Sequence, residues 1–263
     1  MAVPTLALEE YQFEDTGIKL NSSPSIPFCD ITSIDGLDNV PYNSAISNQD
    51  GRDGGYVDAL YEGVRTVTLE GTIYASSSNV DTYLDSLKYN FRPQLTNSPL
   101  YFNLGTGQTR LVYGKSLGIR YKKEAQRRLG KIPFQVQIAC EDPRIYDSTV
   151  TTATIAVAGN GNVVLIGNRP APADLRLNGP LTNPIITFGS NVITFTLTLT
   201  AGQYVDIDLA MRSCIKSDGT SVRHLMTFTS GNWYFLGNTT NTFSLAASAG
   251  TGNLVVTAQS CWR

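Results

Sequence analysis

Threonine alternates with large apolar residues through one stretch of the chain, and this alternation constrains the fold more than any other feature. Ile193, Phe195, Leu197 and Leu199 interleave with Thr194, Thr196, Thr198 and Thr200. A period of two sends one set of side chains to a core and the other to solvent, as a strand does and a helix cannot. After Ala201-Gly202-Gln203 come Val205, Ile207 and Leu209 against Asp206 and Asp208, so a β-hairpin with one wet face is expected. Val67, Leu69 and Ile73 alternate with Thr66, Thr68, Glu70 and Thr72, and Phe134, Val136, Ile138 and Cys140 with Gln135, Gln137 and Glu141. Gly71 falls on the inward set, which predicts a bulge or a close backbone approach. Gly159-Asn160-Gly161-Asn162 reads as a hairpin turn between Ile155–Val157 and Val163–Ile166, and Ser230-Gly231-Asn232 as a second tight connection.

One segment has helical period instead. Val80, Tyr83, Leu84, Leu87 and Phe91 form an apolar stripe, which predicts a helix near 79–91. Ser78 with Asp81 has capping-box spacing, and Pro93 bars continuation. The expected class is mainly β, with two β-sandwich- or barrel-like domains, the N-terminal one carrying a single packed α-helix.

The charges say where to divide it. Residues 1–146 carry 31 of the 42 charged side chains, and all seven glutamates lie at or before Glu141. Threonine shifts the other way, with 17 of 28 after residue 149. A boundary at Asp142-Pro143-Arg144-Ile145-Tyr146 fits, giving domains 1–146 and 147–263. The net charge of −2 leaves no basic excess for bulk binding of DNA or an anionic membrane. Only 16% of residues are charged, against roughly 25% in an average soluble protein, so much of the surface is neutral and open to contact in an assembly. Met1 to Leu6 lack a signal-peptide pattern, and no apolar run approaches a membrane span, so membrane insertion is not expected. Cys29, Cys140, Cys214 and Cys261 have no metal-ligand spacing and read as reduced, mostly buried thiols.

Catalytic constellations are scarce. His224 is the only histidine, so a triad would need Ser221 and Asp218 beside it, in a stretch that reads as a turn. Asp206 and Asp208 share a strand face, where two carboxylates could hydrolyse a glycoside or bind calcium, but solvated surface acids are the commoner case. No catalytic residue, metal site or cofactor is assigned. Trp233, Tyr234, Phe235 and Trp262 could stack on a sugar or belong to the core. The basic cluster Lys115, Arg120, Lys122, Lys123, Arg127, Arg128 and Lys131 is opposed only by Glu124. Three readings stand for it: a nucleic-acid contact, a protein partner with an acidic face, or a solvated loop.

The order of segments resembles a known family, the distal tail (Dit) protein of bacteriophages with long, non-contractile tails. The resemblance rests on Asp50-Gly51-Arg52-Asp53-Gly54-Gly55-Tyr56, on Arg65 to Ile73, on the helix, and on Phe134 to Tyr146. It continues through Gly167 to Asp174, Asn178 to Ile186, the Thr-rich strand, Val205 to Asp208, and Trp233 to Phe243. It implies an N-terminal domain that closes a homohexameric ring and a galectin-like C-terminal sandwich. The ring would surround the DNA channel at the virion tail tip without binding DNA specifically. Implied partners are the tail tube protein, the tail-associated lysin or hub, the tape measure and receptor-binding proteins. The protein would be made in the host cytoplasm and have no enzymatic activity. The alternative is a carbohydrate-binding host-adhesion module, although the chain has no room for the inserted sugar-binding module of larger relatives. A bore that passes DNA disfavours a basic lining, so the 115–131 cluster is expected to face a neighbouring subunit or tail protein.

Overall fold

The structure is a computed structural model that describes residues 3–14, 17–22, 26–38, 40–48, 50–51, 53–57, 61–105, 107–122, 129–229 and 235–263. It divides into two units, Met1–Ser148 with Arg263, and Thr149–Trp262. The architecture is mainly β.

In the first unit antiparallel strands run in the order Phe28–Asp35, Arg65–Tyr74, Lys131–Cys140, Arg110–Tyr121, Ser98–Phe102, Tyr11–Phe13 and Lys19–Leu20. The two ends of this series meet at Asn21. Its N–H donates to the Cys29 carbonyl at 2.9 Å, and its Oδ1 accepts the Ile31 N–H at 3.2 Å. The sheet is thereby closed on itself, through a residue at φ +60°, a conformation Asn tolerates better than most. Val67, Leu69, Ile73, Val136, Ile138 and Cys140 point inward and are buried, as their alternation requires. Gly71 is the close approach: a Cβ there would lie 2.3 Å from the Asp30 carbonyl oxygen, beside a register shift between Ile31 and Ser33. The long strand Arg110–Tyr121 bends where its register shifts between Ser116 and Ile119, with Gly118 at φ +100°.

The helix Val80–Asn90 turns Val80, Leu84 and Leu87 inward. Phe91 follows it, stacks on Phe13 at 5.5 Å, and accepts a 2.8 Å hydrogen bond from the buried Ser116 hydroxyl at the strand's bend. The capping box does not form. Asn79 is the N-cap, without a side-chain cap, and the Ser76 carbonyl takes the Asn79 and Val80 N–H groups. The Ser78 hydroxyl is engaged by Ser76 instead, at 3.1 Å, because the turn over 76–79 moves the helix start one residue along.

Arg65 opens its strand wholly buried. Its Nε donates to the Pro143 carbonyl at 2.8 Å, and its Nη1 to the carbonyls of Gly36 and Leu37 at 2.7 and 2.6 Å. Asp142 accepts from the Arg144 guanidinium at 3.2 Å and from the Tyr146 hydroxyl at 2.5 Å, and burial followed by the Asp142 charge raises the Tyr146 pKa. The segment read as a boundary is thus held inside the first unit.

Among the described residues the second unit has two larger antiparallel sheets and a short three-stranded one, Thr198–Leu199, Leu181–Thr182 and Ala249–Gly250. Of the larger two, one contains Asn253–Trp262, Ala173–Asn178, Tyr204–Asp208 and Ser213–Lys216. The other runs Gly159–Val164, Thr240–Ala246, Ile185–Phe188, Asn191–Phe195 and Met226–Phe228. Leu175, Leu177, Val205, Ile207, Leu254 and Val256 are buried from the first, and Ile186, Ile193, Phe195, Phe243 and Leu245 from the second. Phe188 stacks on Phe243 at 5.1 Å.

Two sequence expectations are corrected here. The Thr-alternating run is not one arm of a hairpin. Asn191–Phe195 pairs with Ile185–Phe188, whereas Thr198–Leu199 pairs with Leu181–Thr182 and Tyr204–Asp208 with Ala173–Asn178. The chain changes sheets between Phe195 and Thr198 while keeping its apolar residues inward. Nor do Gly159-Asn160-Gly161-Asn162 form a turn. They are strand, and the turn is Val157-Ala158, with Ala158 at φ +61°. Gly161 provides space rather than a bend, since a Cβ there would lie 2.7 Å from Ile155 Cγ1. The connection at Ser230-Gly231-Asn232 lies outside the described residues, as do Trp233 and Tyr234.

Two outcomes are expected. Arg65→Met leaves buried carbonyls without donors and should cost at least about 3 kcal/mol in urea denaturation. All four cysteines are buried and free. Burial pushes the Cys29, Cys140 and Cys214 thiols up to about 12 from an ordinary 9.0. The folded state holds these protons more tightly, so their contribution is full below pH 9.0 and declines as pH rises toward about 12. Native protein should resist thiol alkylation at about pH 8, and its denaturation midpoint should fall more between about pH 8 and about pH 10.5 than that of a triple Cys→Ala variant.

Candidate assembly surface

The basic cluster is divided by the structure. Lys115, before the strand's bend, is committed to Glu141, Nζ to Oε1 2.5 Å, and Asn97 reaches the other carboxylate oxygen at 3.4 Å. The hydrogen bond from Lys115, then that from Asn97, lowers the Glu141 pKa. Arg120 and Lys122, beyond the bend, are exposed and line a groove of about 470 Å³ with Glu70, Thr72, Tyr121 and Gln135. Glu70 is engaged there by Gln135 Nε2 at 2.8 Å. Lys131 begins the next strand, its ammonium 5.4 Å from the Tyr74 ring centre. Lys123, Arg127 and Arg128 lie outside the described residues. The strand pairing brings Arg120, Lys122 and Lys131 to one end of adjacent strands and leaves Lys115 in a separate ion pair.

Three acids of the second unit, Asp206, Asp208 and Asp218, are also engaged. Strand register sets Arg176 opposite Asp206, and its Nε and Nη2 donate to the two carboxylate oxygens at 2.5 and 2.8 Å. The guanidinium lies 4.3 Å from the Tyr204 ring centre. Asp208 Oδ1 accepts the Met211 N–H at 2.8 Å. Burial, and then the charges of Asp208 and Asp206, push the Asp174 carboxyl above the ordinary carboxylate range. Together they border a groove of about 450 Å³ in which Asp206 is tied to Arg176. A hydrolytic pair needs one carboxylate free as base or nucleophile and one poised as acid, which this bidentate pairing does not provide for Asp206.

His224 is exposed in a short 3₁₀ turn, Arg223–Leu225. Asp218 is bound by Thr220 through its N–H at 3.0 Å and its hydroxyl at 2.5 Å, and by Lys216 at 3.4 Å, and these contacts, the Thr220 hydroxyl first, lower its pKa. Among the described residues no hydrogen bond joins His224, Ser221 and Asp218. Groups of three or more His, Cys, Asp or Glu able to hold a metal are likewise absent among them. Phe235 is partly exposed and Trp262 half-buried.

Sequence reasoning passed over two features. Arg65 looked like an ordinary strand start. The tip around Asp50, Asp53 and Tyr56 entered only through resemblance, although its Asp-Gly and Gly-Gly turn signals flanked by Ile46 and Val57 mark a projecting hairpin.

No protein-family model and no curated protein matches the sequence. Solved structures do match. One is the SPP1 Dit (gp 19.1) protein, described as a paradigm of the hub adsorption apparatus in phages infecting Gram-positive bacteria. It superposes with a TM-score of 0.70 at 12% identity, covering 98% of this chain and 100% of that one. A chain of the phage P2 baseplate in its activated conformation with Ca matches with a TM-score of 0.56 at 9% identity, over 97% of this chain and 98% of that one. The same baseplate with Sr matches at 0.50 and 9% identity, over 95% and 98% of the two chains. From end to end, the chain has the fold of the siphophage distal tail (Dit) protein.

Proposed function

We propose that this chain is a structural, non-enzymatic component of a bacteriophage tail tip, a baseplate hub ring that joins the tail tube to the host-adsorption apparatus. The observation that carries this is the full-length correspondence with the SPP1 protein, 98% of one chain against 100% of the other, with both units included. A fold by itself hosts many functions. Here the fold is joined by low charge density and, among the described residues, by acids already engaged by Arg176, Lys216 and backbone N–H groups. No helix in the described residues is long and apolar enough to cross a membrane.

In this reading six copies close a ring around the DNA channel, with residues 1–146 forming the ring and residues 147–263 a galectin-like sandwich outside it. The tail tube protein meets one side, and the tail-associated lysin or hub the other, with tape measure and receptor-binding proteins close by. Of the basic residues, Arg120, Lys122, Lys123, Arg127, Arg128 and Lys131 serve protein contacts and not the bore, while Lys115 is held within its own chain by Glu141. The protein resides at the virion tail tip after synthesis in the host cytoplasm. Ring contacts above two-fold symmetry are heterologous, so each copy must present two different complementary patches.

Native mass spectrometry and negative-stain imaging of the full chain test this. A closed ring of copies with a central opening is expected at high protein concentration. A strictly monomeric protein that is also missing from purified virions would refute it.

A further inference from the structure

Residues 38–64 leave the first unit's sheet after Gly36 and Leu37 and return at Arg65. They contain two short hairpin pairings in series, Tyr42–Asn43 with Tyr61–Glu62 and Ile46–Asn48 with Gly55–Val57. The base is fastened. Arg65 grips the Gly36 and Leu37 carbonyls. Arg263 Nε sits 3.3 Å from Glu62 Oε1, and its guanidinium 5.0 Å from the Tyr42 ring centre. The tip is different. Asp50, Asp53, Tyr56 and Val57 are all exposed, the last two at 61% each, so among the described residues of the tip these side chains are presented to solvent. A two-stranded ribbon is marginally stable alone in water, and an apolar pair beside an unpaired strand edge invites a partner. Neither Asp50 nor Asp53 has a hydrogen-bond or ion-pair partner among the described residues.

The same unit presents a surface of opposite sign. The side chains of Arg120 and Lys122 on the 470 Å³ groove also lack such partners among the described residues, and its one acid, Glu70, is engaged by Gln135. Lys131, which begins the adjacent strand, adds a further positive charge at that end. Residues 44–58 of the arm carry three aspartates against Arg52.

We propose that the acidic tip of this arm docks into the Arg120/Lys122 groove of a second copy of this chain. The inference rests on the ring reading and deepens it by assigning the two patches. Asp50 and Asp53 meet Arg120 and Lys122, and Tyr56 supplies an aromatic anchor of the kind that dominates interface energies. Donor and acceptor differ, so each copy gives one arm and receives one. The contact is head-to-tail and propagates around a ring instead of stopping at a pair.

A charge swap on the full chain tests it. Three variants are compared with wild type by sedimentation and native mass spectrometry at low salt: Asp50→Lys/Asp53→Lys, Arg120→Asp/Lys122→Asp, and the four changes together. Each reversed pair should raise the concentration needed for assembly by about tenfold or more, and the fourfold variant should return it to within about threefold of wild type. All four thermal midpoints should agree for the unassembled chain, since every altered side chain is exposed. The docking is overturned if either reversed pair assembles normally, or if the fourfold variant stays as weak as its parents. Normal rings from reversed variants would discard this contact and leave the ring reading standing. A wild type that never assembles would discard both.

Discussion

A guanidinium with no exposed surface sits at the point where the first unit's strands, its projecting arm and the approach to the second unit converge. Moving a cation out of water is costly unless its donors are met, and Arg65 meets the carbonyls of Gly36, Leu37 and Pro143. Those carbonyls belong to the start of the arm and to the segment after the Lys131–Cys140 strand. Satisfying one side chain therefore fixes where the arm leaves, where it returns, and how the chain departs toward Thr149. The neighbouring Asp142, Arg144 and Tyr146 bond among themselves, which stiffens that departure. Proline at 143 suits the role, since its carbonyl accepts while it has no N–H of its own to satisfy.

The barrel-like closure depends on smaller devices of the same kind. Asn21, in a left-handed conformation, bonds through both backbone and side chain across the seam where a strand series would otherwise have two open edges. Gly71 lets the Asp30 backbone approach closely, and Gly118 lets the long strand bend so that its two halves pair with different neighbours. The helix then docks on that bend through Ser116 and Phe91.

What was legible in the sequence was whatever a local period encodes. Val67, Leu69 and Ile73 announce their inward face because successive strand side chains must alternate, and Val80, Leu84 and Leu87 announce a helix face for the corresponding reason. Pairing was not legible. Alternation says which face a residue takes, not which sheet it belongs to, so the run from Ile193 to Leu199 keeps one pattern while its strands join two different sheets. Glycine misled at 159–162 for a related reason. A glycine can be needed for a positive φ or for room, and Gly161 is needed for room beside Ile155. In the basic cluster, Lys115 is neutralised by Glu141, 26 residues away, through a strand register that no local motif records.

The uneven charge of the two halves acquires a physical meaning from these pairings. In the second unit, strand register places Arg176 on Asp206, and a tight turn places Lys216 near Asp218, so charges meet at short range and leave a Thr-rich, nearly neutral surface between them. In the first unit, Lys115 is spent on Glu141, yet Arg120 and Lys122 face a groove and Asp50 and Asp53 face outward from an arm. Unpaired exposed charges do little for folding. They act over a Debye length of about 8–10 Å and set which surfaces approach one another. A chain that must choose neighbours in a fixed order therefore needs such charges on the part that makes the ordered contact, and needs few of them elsewhere.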